Sequence, residues 1–388
     1  MKILISCGEP SGDLYAGELT RELHALDKSA RVFGLGGDRM RQAGADVVDD
    51  FEGLTVTGLS EALSVLPRSV ATYRRLVALA KRERPDVFVP IDFPEINFRL
   101  AMAMHRIGIP VVYYVCPQVW AWRRGRLQTI KKFATRALVI FPFEEAIYQD
   151  AGIPVEFVGH PLVDLTVVER SRQEFLTHHS LEPTAPTVAL LPGSRPNEVR
   201  SILRELVGAT ALIARQVPTV QFVVARAPGL DDQLFSVLSQ ADQQVTGGRP
   251  VVIVESRTDE VVASSDVVVT ASGTATVQTA LHGRPMVIVY RLSPMTYRLV
   301  RRFAHVDTVG MVNLIAGETV VPELLQDDLN PESVADAVLA ILCDPDRAEQ
   351  TRAALSKVKD QLGSPGASRR AAHAIWTVAR ATENGGRR

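Results

Sequence analysis

The 388-residue sequence is short of cysteine, of aromatic residues (6%) and of any excess of one charge sign. Its three cysteines, Cys7, Cys116 and Cys343, stand far apart with no Cys-x-x-Cys. That leaves no disulfide framework or zinc ribbon and fits a reducing compartment. Lys and Arg number 43 and Asp and Glu 44, a net charge of −1, which excludes a chain that coats nucleic acid by bulk charge. No apolar run approaches the ~18 residues of a membrane helix. The opening run, Met1 to Cys7, is ended at once by Glu9, Ser11 and Asp13. A soluble, cytoplasmic protein without a signal peptide is therefore expected. Fixed signatures are missing too: no Gly-Lys-Ser/Thr P-loop, no Gly-x-Ser-x-Gly elbow and no His-x-x-x-His pair.

What is present is a repeated alternation of apolar run, turn and amphipathic segment. Hydrophobic residues are 46% and charged residues 22%, which describes a globular chain, and the length suits two domains. Strands are expected over 3–6, 32–35, 87–91, 111–115, 137–141 and 155–158, then over 187–191, 220–225, 251–254, 267–270 and 286–290. Continuous β-branched runs separated by helical segments predict parallel sheets covered on both faces. The pattern pauses after Gly159-His160-Pro161 and resumes near residue 187. The expected architecture is α/β: two doubly wound, Rossmann-like domains facing a cleft. They span 1–165 and 166–345, and C-terminal helices over 346–388 pack back across them. Ligands of such sheets bind beyond the carboxyl ends of the strands, so the residues just after each strand are the informative ones.

Glu9, Ser11 and Asp13 lie in the Gly8–Asp13 turn, whose two acids suit sugar hydroxyls better than phosphate; it also reads as a capped turn with Ser11 as the cap. Gly34-Leu35-Gly36-Gly37 begins like a dinucleotide fingerprint but has Arg39 where the third glycine belongs, so a tight turn is expected. Asp92 and Glu95 put two carboxylates at a strand end and helix start, either as a general base or as a helix cap with an acidic first turn. Trp120, Trp122 and Arg123 open a stretch with no acid between Glu95 and Glu144, a local positive field fit for a phosphorylated small acceptor or for an ordinary basic helix face. Gly193, Ser194 and Arg195, with Glu198, form a strand–turn–helix suited to a diphosphate. Ser272, Gly273, Thr274 and Ala275 repeat that logic, and Asn313 offers a further polar contact. Each also reads as a tight turn; two in one domain favour a nucleotide-diphosphate site. The stripe Leu59, Leu63, Leu66, Val70, Tyr73, Val77 and Ala80 has helical spacing, with Pro67 expected to split it. It reads as a core helix or as a basic surface lying on anionic lipid. Metal signals are poor: Asp344-Pro345-Asp346 has Asp-x-Asp form but lies between C-terminal helices, away from any strand end.

Taken in order, these motifs resemble the lipid-A-disaccharide synthases. The resemblance covers nearly the whole chain. It rests on Gly8–Asp13, Asp86–Asp92, Val119–Arg123, Phe141–Glu144, Phe157–His160, Leu191–Arg195 with Glu198, Ser272–Ala275 and Asn313–Gly317. It implies a metal-independent, inverting GT-B glycosyltransferase without a cofactor, UDP being part of the donor substrate. The donor would be UDP-2,3-diacylglucosamine and the acceptor 2,3-diacylglucosamine 1-phosphate (lipid X). The products would be the β-1,6 disaccharide 1-phosphate and UDP. It also implies peripheral contact with the cytoplasmic face of the inner membrane, no nucleic-acid partner, and a possible homodimer. Three positions depart from the family pattern: Gln278 where Glu would meet the ribose, Glu95 for Asp, and Cys116-Pro117-Gln118 for Ser-Pro-Ser. The expected base is Asp92, with Glu95 or Glu9 as alternates. Rival readings are another GT-B enzyme, such as a UDP-N-acetylglucosamine 2-epimerase, and a non-catalytic nucleotide-sugar-binding protein.

Overall fold

The computed structural model of the chain describes residues 1–54, 65–117, 125–241, 251–292 and 308–385. These form two compact units. The first holds Met1–Asp164 and takes the chain back from Leu362 onward; the second lies between, from Leu165 to Gln361.

The first unit is built on a parallel sheet of β1 (Lys2–Ser6), β2 (Arg31–Gly36), β3 (Asp46–Asp50), β4 (Val87–Pro90), β5 (Val111–Tyr114), β6 (Ala134–Val139) and β7 (Val155–Phe157), in the order β3-β2-β1-β4-β5-β6-β7. Every residue of β4 and β5 is buried, as a sheet covered on both faces requires. Strand order reverses between β1 and β4. Ser6 pairs with Pro90 and Ile91 bridges Tyr114, so β1, β4 and β5 end level with one another. At Gly34 φ is 149°, and a Cβ there would lie 1.9 Å from the Ile5 carbonyl oxygen. The Gly-x-Gly spelling thus serves the contact between β1 and β2.

Around this sheet stand α1 (Pro10–Leu26), α2 (Asp38–Gln42), α3 (Leu66–Glu83) and α4 (Pro94–Arg106). Pro67 sits in the first turn of α3, so this helix begins where the break was expected; the part of the expected stripe before residue 65 is outside the described residues. The helix buries Thr72, Leu76, Leu79 and Ala80, while Val70, Tyr73 and Val77 are only half-buried, so its core face is turned from the one the stripe predicts. β3 was not expected. Asp46-Val47-Val48-Asp49-Asp50 carries three acids because it is the sheet's outer edge.

The returning chain is latched to the end of β7. The Asp164 carboxylate accepts from the Gly366 and Ala367 amides at 2.8 and 3.1 Å, and Arg370 Nε donates to the Val158 carbonyl at 2.8 Å. The C-terminal helix (Ala367–Gly385) then packs on α1.

The second unit repeats the plan with β8 (Thr187–Leu191), β9 (Gln221–Arg226), β10 (Val252–Glu255), β11 (Val267–Ala271), β12 (Met286–Tyr290) and β13 (Glu323–Leu325), in the order β10-β9-β8-β11-β12-β13. Order reverses between β8 and β11. β13 also escaped expectation, being three residues long. The helices that matter are α5 (Pro196–Gln216), α6 (Thr258–Ala263), α7 (Thr274–Leu281), α8 (Met311–Ala316), α9 (Pro331–Leu342) and α10 (Pro345–Gln361). Pro331 opens α9, with Asn330 as cap accepting from the Ser333 amide at 2.8 Å. Among the described residues no helix is long and apolar enough to cross a membrane.

His160 lies inside the latch, 2% exposed, its amide donating to the Leu362 carbonyl and its Nδ1 accepting from the Leu162 amide at 3.2 Å. That bond fixes the Nε2–H tautomer. Burial lowers its pKa from 6.5 to about 3. The unfolded chain therefore takes up a proton below pH 6.5 that the folded chain refuses. Stability is intact above that pH and falls as pH drops, by about 2 kcal/mol at pH 5. Urea unfolding should show this loss between pH 7 and pH 5, and His160→Gln should flatten that slope; an unaltered slope would contradict it.

Candidate active site

In both sheets several of the sequence-predicted residues follow the two strands that flank the reversal of strand order. That is the place where open parallel sheets bind ligands. Glu9 follows β1 and Asp92 follows β4; the Gly193–Arg195 turn follows β8 and the Ser272–Ala275 turn follows β11.

Asp92 is not a helix cap. The N-cap of α4 is Phe93, and Asp92 precedes it. Both adopt left-handed backbone, with φ of 42° and 50°, and Val115, at the end of β5, joins them at 53°. Such conformations cost of order 1 kcal/mol or more per non-glycine residue and gather where function requires them. Here they are held by named bonds. The Asp92 amide donates to the Val115 carbonyl at 3.1 Å. Its carbonyl accepts from Asn97 Nδ2 at 2.8 Å and from the Tyr113 hydroxyl at 2.9 Å. Asn97, fully buried on α4, also donates to the Ser6 carbonyl and accepts from the Ser6 hydroxyl at 2.6 Å, tying β1 to the same loop. The Phe93 ring fills the space above Gly8, where a Cβ would approach it to 2.1 Å. Asp92 is half-buried, Glu9 is half-buried at the N-cap of α1, and Glu95 is exposed.

Several expectations are corrected. Ser11 caps nothing, since α1 begins at Pro10 with Glu9 at its N-cap. Asp13 is 4% exposed, and its carboxylate accepts from the Gly37, Arg39 and Met40 amides at 2.8–3.1 Å. It holds α2 to α1. Trp120, Trp122 and Arg123 lie outside the described residues. Cys7 and Cys116 are buried, and desolvation pushes both thiols well above their usual range, so neither offers a thiolate.

In the second unit, Glu198 takes donors that had been assigned to a diphosphate. Its Oε2 accepts from the Ser194 and Arg195 amides at 3.1 and 3.3 Å, and its Oε1 lies 3.2 Å from the Arg195 guanidinium. Gly193, with φ of 122°, is glycine because a Cβ there would meet Glu198 at 2.6 Å. Glu198 therefore shapes the turn and orients Arg195; a carboxylate at that place would repel a phosphate.

Asn313 is likewise structural. It is 1% exposed, donates to the Val321 carbonyl and to Glu323 Oε1, and accepts from the Val320 and Val321 amides at 2.7–3.0 Å. All four of its hydrogen-bonding positions are used. Glu323 in turn holds the Val309 and Gly310 amides at the start of α8.

The open position is the start of α7. Gly273 is exposed with φ of 148°, and a Cβ there would meet nothing within 4 Å among the described residues. Ser272 Oγ donates to the Val309 carbonyl at 3.0 Å, and Thr274 and Ala275 form the half-buried first turn. One turn on, Gln278 Nε2 lies 3.4 Å from Asp259 Oδ1, which also pairs with His282 Nε2 at 3.0 Å. Sequence reading missed Asn97, Tyr113, Asp259 and Glu323. For Asn97 the signal was there: it is the polar member of the buried stripe Ile96, Asn97, Leu100, Ala101 and Met104.

Two parallel, doubly wound units, each with its loops of interest at the strand-order reversal, and a helical C-terminal region define a GT-B-like glycosyltransferase architecture. The UDP-GlcNAc 2-epimerase of Neisseria meningitidis shares this fold, with a TM-score of 0.69 over 97% of this chain and 100% of that chain, at 12% identity. The family model for lipid-A-disaccharide synthetase matches residues 3–377. The lipid-A-disaccharide synthase of Syntrophus aciditrophicus is 40% identical over 97% of either chain, and that of Koribacter versatilis 40% identical over 98% of this chain and 99% of the other. The chain belongs to the lipid-A-disaccharide synthase family.

The reassignment of Asp13 is testable. Asp13→Ala orphans three amides and should lower unfolding free energy in urea by about 3 kcal/mol, with the KM for acceptor unchanged in the folded fraction. Full stability with a raised KM would return Asp13 to the binding site.

Proposed function

We propose that this protein transfers 2,3-diacylglucosamine from UDP-2,3-diacylglucosamine to the 6-hydroxyl of 2,3-diacylglucosamine 1-phosphate, with inversion, to give the β-1,6 disaccharide 1-phosphate and UDP. Asp92 takes the proton from the acceptor hydroxyl. That oxygen bonds to the donor's anomeric carbon as the bond from that carbon to the β-phosphate oxygen breaks, and UDP leaves with the electron pair. The transition state is oxocarbenium-like. The second unit binds the nucleotide. Arg195, oriented by Glu198, and the amides at the start of α7 take up the charge that develops on UDP. Glu9 and Ser11 are left to the acceptor sugar.

Family membership supports the reaction. The observation that carries the residue assignment is the strained, fully bonded backbone at Asp92, beside the strand-order reversal of the first sheet. α3 supports membrane contact: it exposes Leu66 at 48% together with Arg74, Arg75, Lys81 and Arg82.

Incubation with both lipid substrates, with and without added magnesium, should release UDP and form disaccharide; no product from either would defeat the reading. Asp92→Asn should lower kcat by roughly 10²-fold or more, the scale of a lost general base, and near wild-type turnover would remove Asp92 from that role. Arg195→Ala should weaken UDP binding by roughly tenfold or more in calorimetry, the order of one charge-assisted contact. Unchanged affinity would reject that assignment.

A further inference from the structure

We infer that the Tyr113 hydroxyl is a positioning residue for Asp92, acting through the main chain and not through the substrate. The inference rests on the reading of Asp92 as the base. Tyr113 is fully buried on β5, and its ring packs against Phe98 and Phe133, whose centroids lie 6.1 and 6.3 Å away. The ring is thus fixed by packing that does not involve its hydroxyl. The hydroxyl donates at 2.9 Å to the Asp92 carbonyl. Burial and then the Asp92 charge push the phenol well above its usual range, so it remains a donor at every pH at which the protein is folded.

The bond has a specific task. With φ of 42°, Asp92 stands in a conformation an L-residue leaves readily for extended backbone. Such a change swings the carboxylate and the carbonyl together. Tyr113 and Asn97 take the two acceptor positions of that carbonyl from neighbouring elements, β5 and α4. The Asp92 amide is meanwhile held by Val115, one residue past β5. Two of these restraints therefore come from the end of β5, the strand beside Asp92's own, and the residue just past it. Asn97 also ties Ser6 and the Ile91 carbonyl, so its loss would disturb β1 and β4 as well. The Tyr113 hydroxyl has no other hydrogen-bond partner among the described residues, which makes it the member of the clamp removable without rebuilding the loop.

Tyr113→Phe keeps the ring and deletes that one bond. Its kcat should fall by roughly tenfold, with both KM values within about twofold of wild type, the signature of an interaction realised only in the transition state. The melting temperature should move little. The decisive comparison is a double-mutant cycle under single-turnover conditions. In an Asp92→Asn background, where no base remains to be aimed, Tyr113→Phe should change the residual rate by less than about twofold. A tenfold loss that persists in that background would show that Tyr113 acts on the fold or on the substrate, and would overturn the inference. So would wild-type kcat for Tyr113→Phe while Asp92→Asn remains crippled. Near wild-type turnover of Asp92→Asn alone would instead sink the base assignment on which the inference stands.

Discussion

The first unit depends on how the chain leaves β4. A parallel strand would ordinarily run on into an extended turn. Here Asp92 and Phe93 turn left-handed in succession, and Val115, leaving β5 beside them, does the same. The Asp92 carbonyl is held from β5 and α4 and its amide by the Val115 carbonyl, the Phe93 carbonyl accepts from the Asn97 amide, the Val115 amide donates to the Leu138 carbonyl on β6, and Gly8 leaves room for the Phe93 ring. The stored strain fixes where one carboxylate stands. Gly8, Phe93, Asn97 and Tyr113 are therefore read together, as the seating of Asp92.

The second unit uses the opposite arrangement. Its polar residues near strand ends are mostly spent. Glu198 closes on the Gly193–Arg195 turn, Asn313 saturates its amide, and Glu323 collects the amides before α8. What these networks leave open, among the described residues, is the start of α7, where a Cβ on Gly273 would meet no atom within 4 Å. A helix N-terminus of that kind suits a diphosphate, and the surrounding bonds make it rigid.

The sequence was a good guide to architecture and a weaker one to roles. Buried parallel strands read clearly because they are continuous β-branched runs, as at β1 and β11. β3 and β13 did not, because an acidic outer-edge strand and a three-residue strand carry no such run. The loops that matter were legible as glycine-rich turns after strands. Which polar side chains in them face a ligand was not, since Asp13, Glu198 and Asn313 look like ligand contacts until their partners are known. Those partners, Gly37 to Met40 for Asp13 and Val320 to Glu323 for Asn313, arrive from other segments. Asn97 was passed over for the converse reason: it sits in an apolar stripe, and its importance appears only when the Ser6, Ile91 and Asp92 carbonyls are seen around it.

On the proposed mechanism a carboxylate at position 92 supplies the base and the backbone there aims it. Asp92→Gly tests this most directly, because glycine accepts the left-handed conformation without strain and removes only the carboxylate. Added formate should then restore turnover in a saturable manner, with inversion at the anomeric carbon retained. If the variant binds both substrates as the wild type does and formate leaves its rate unchanged, Asp92 is not the base.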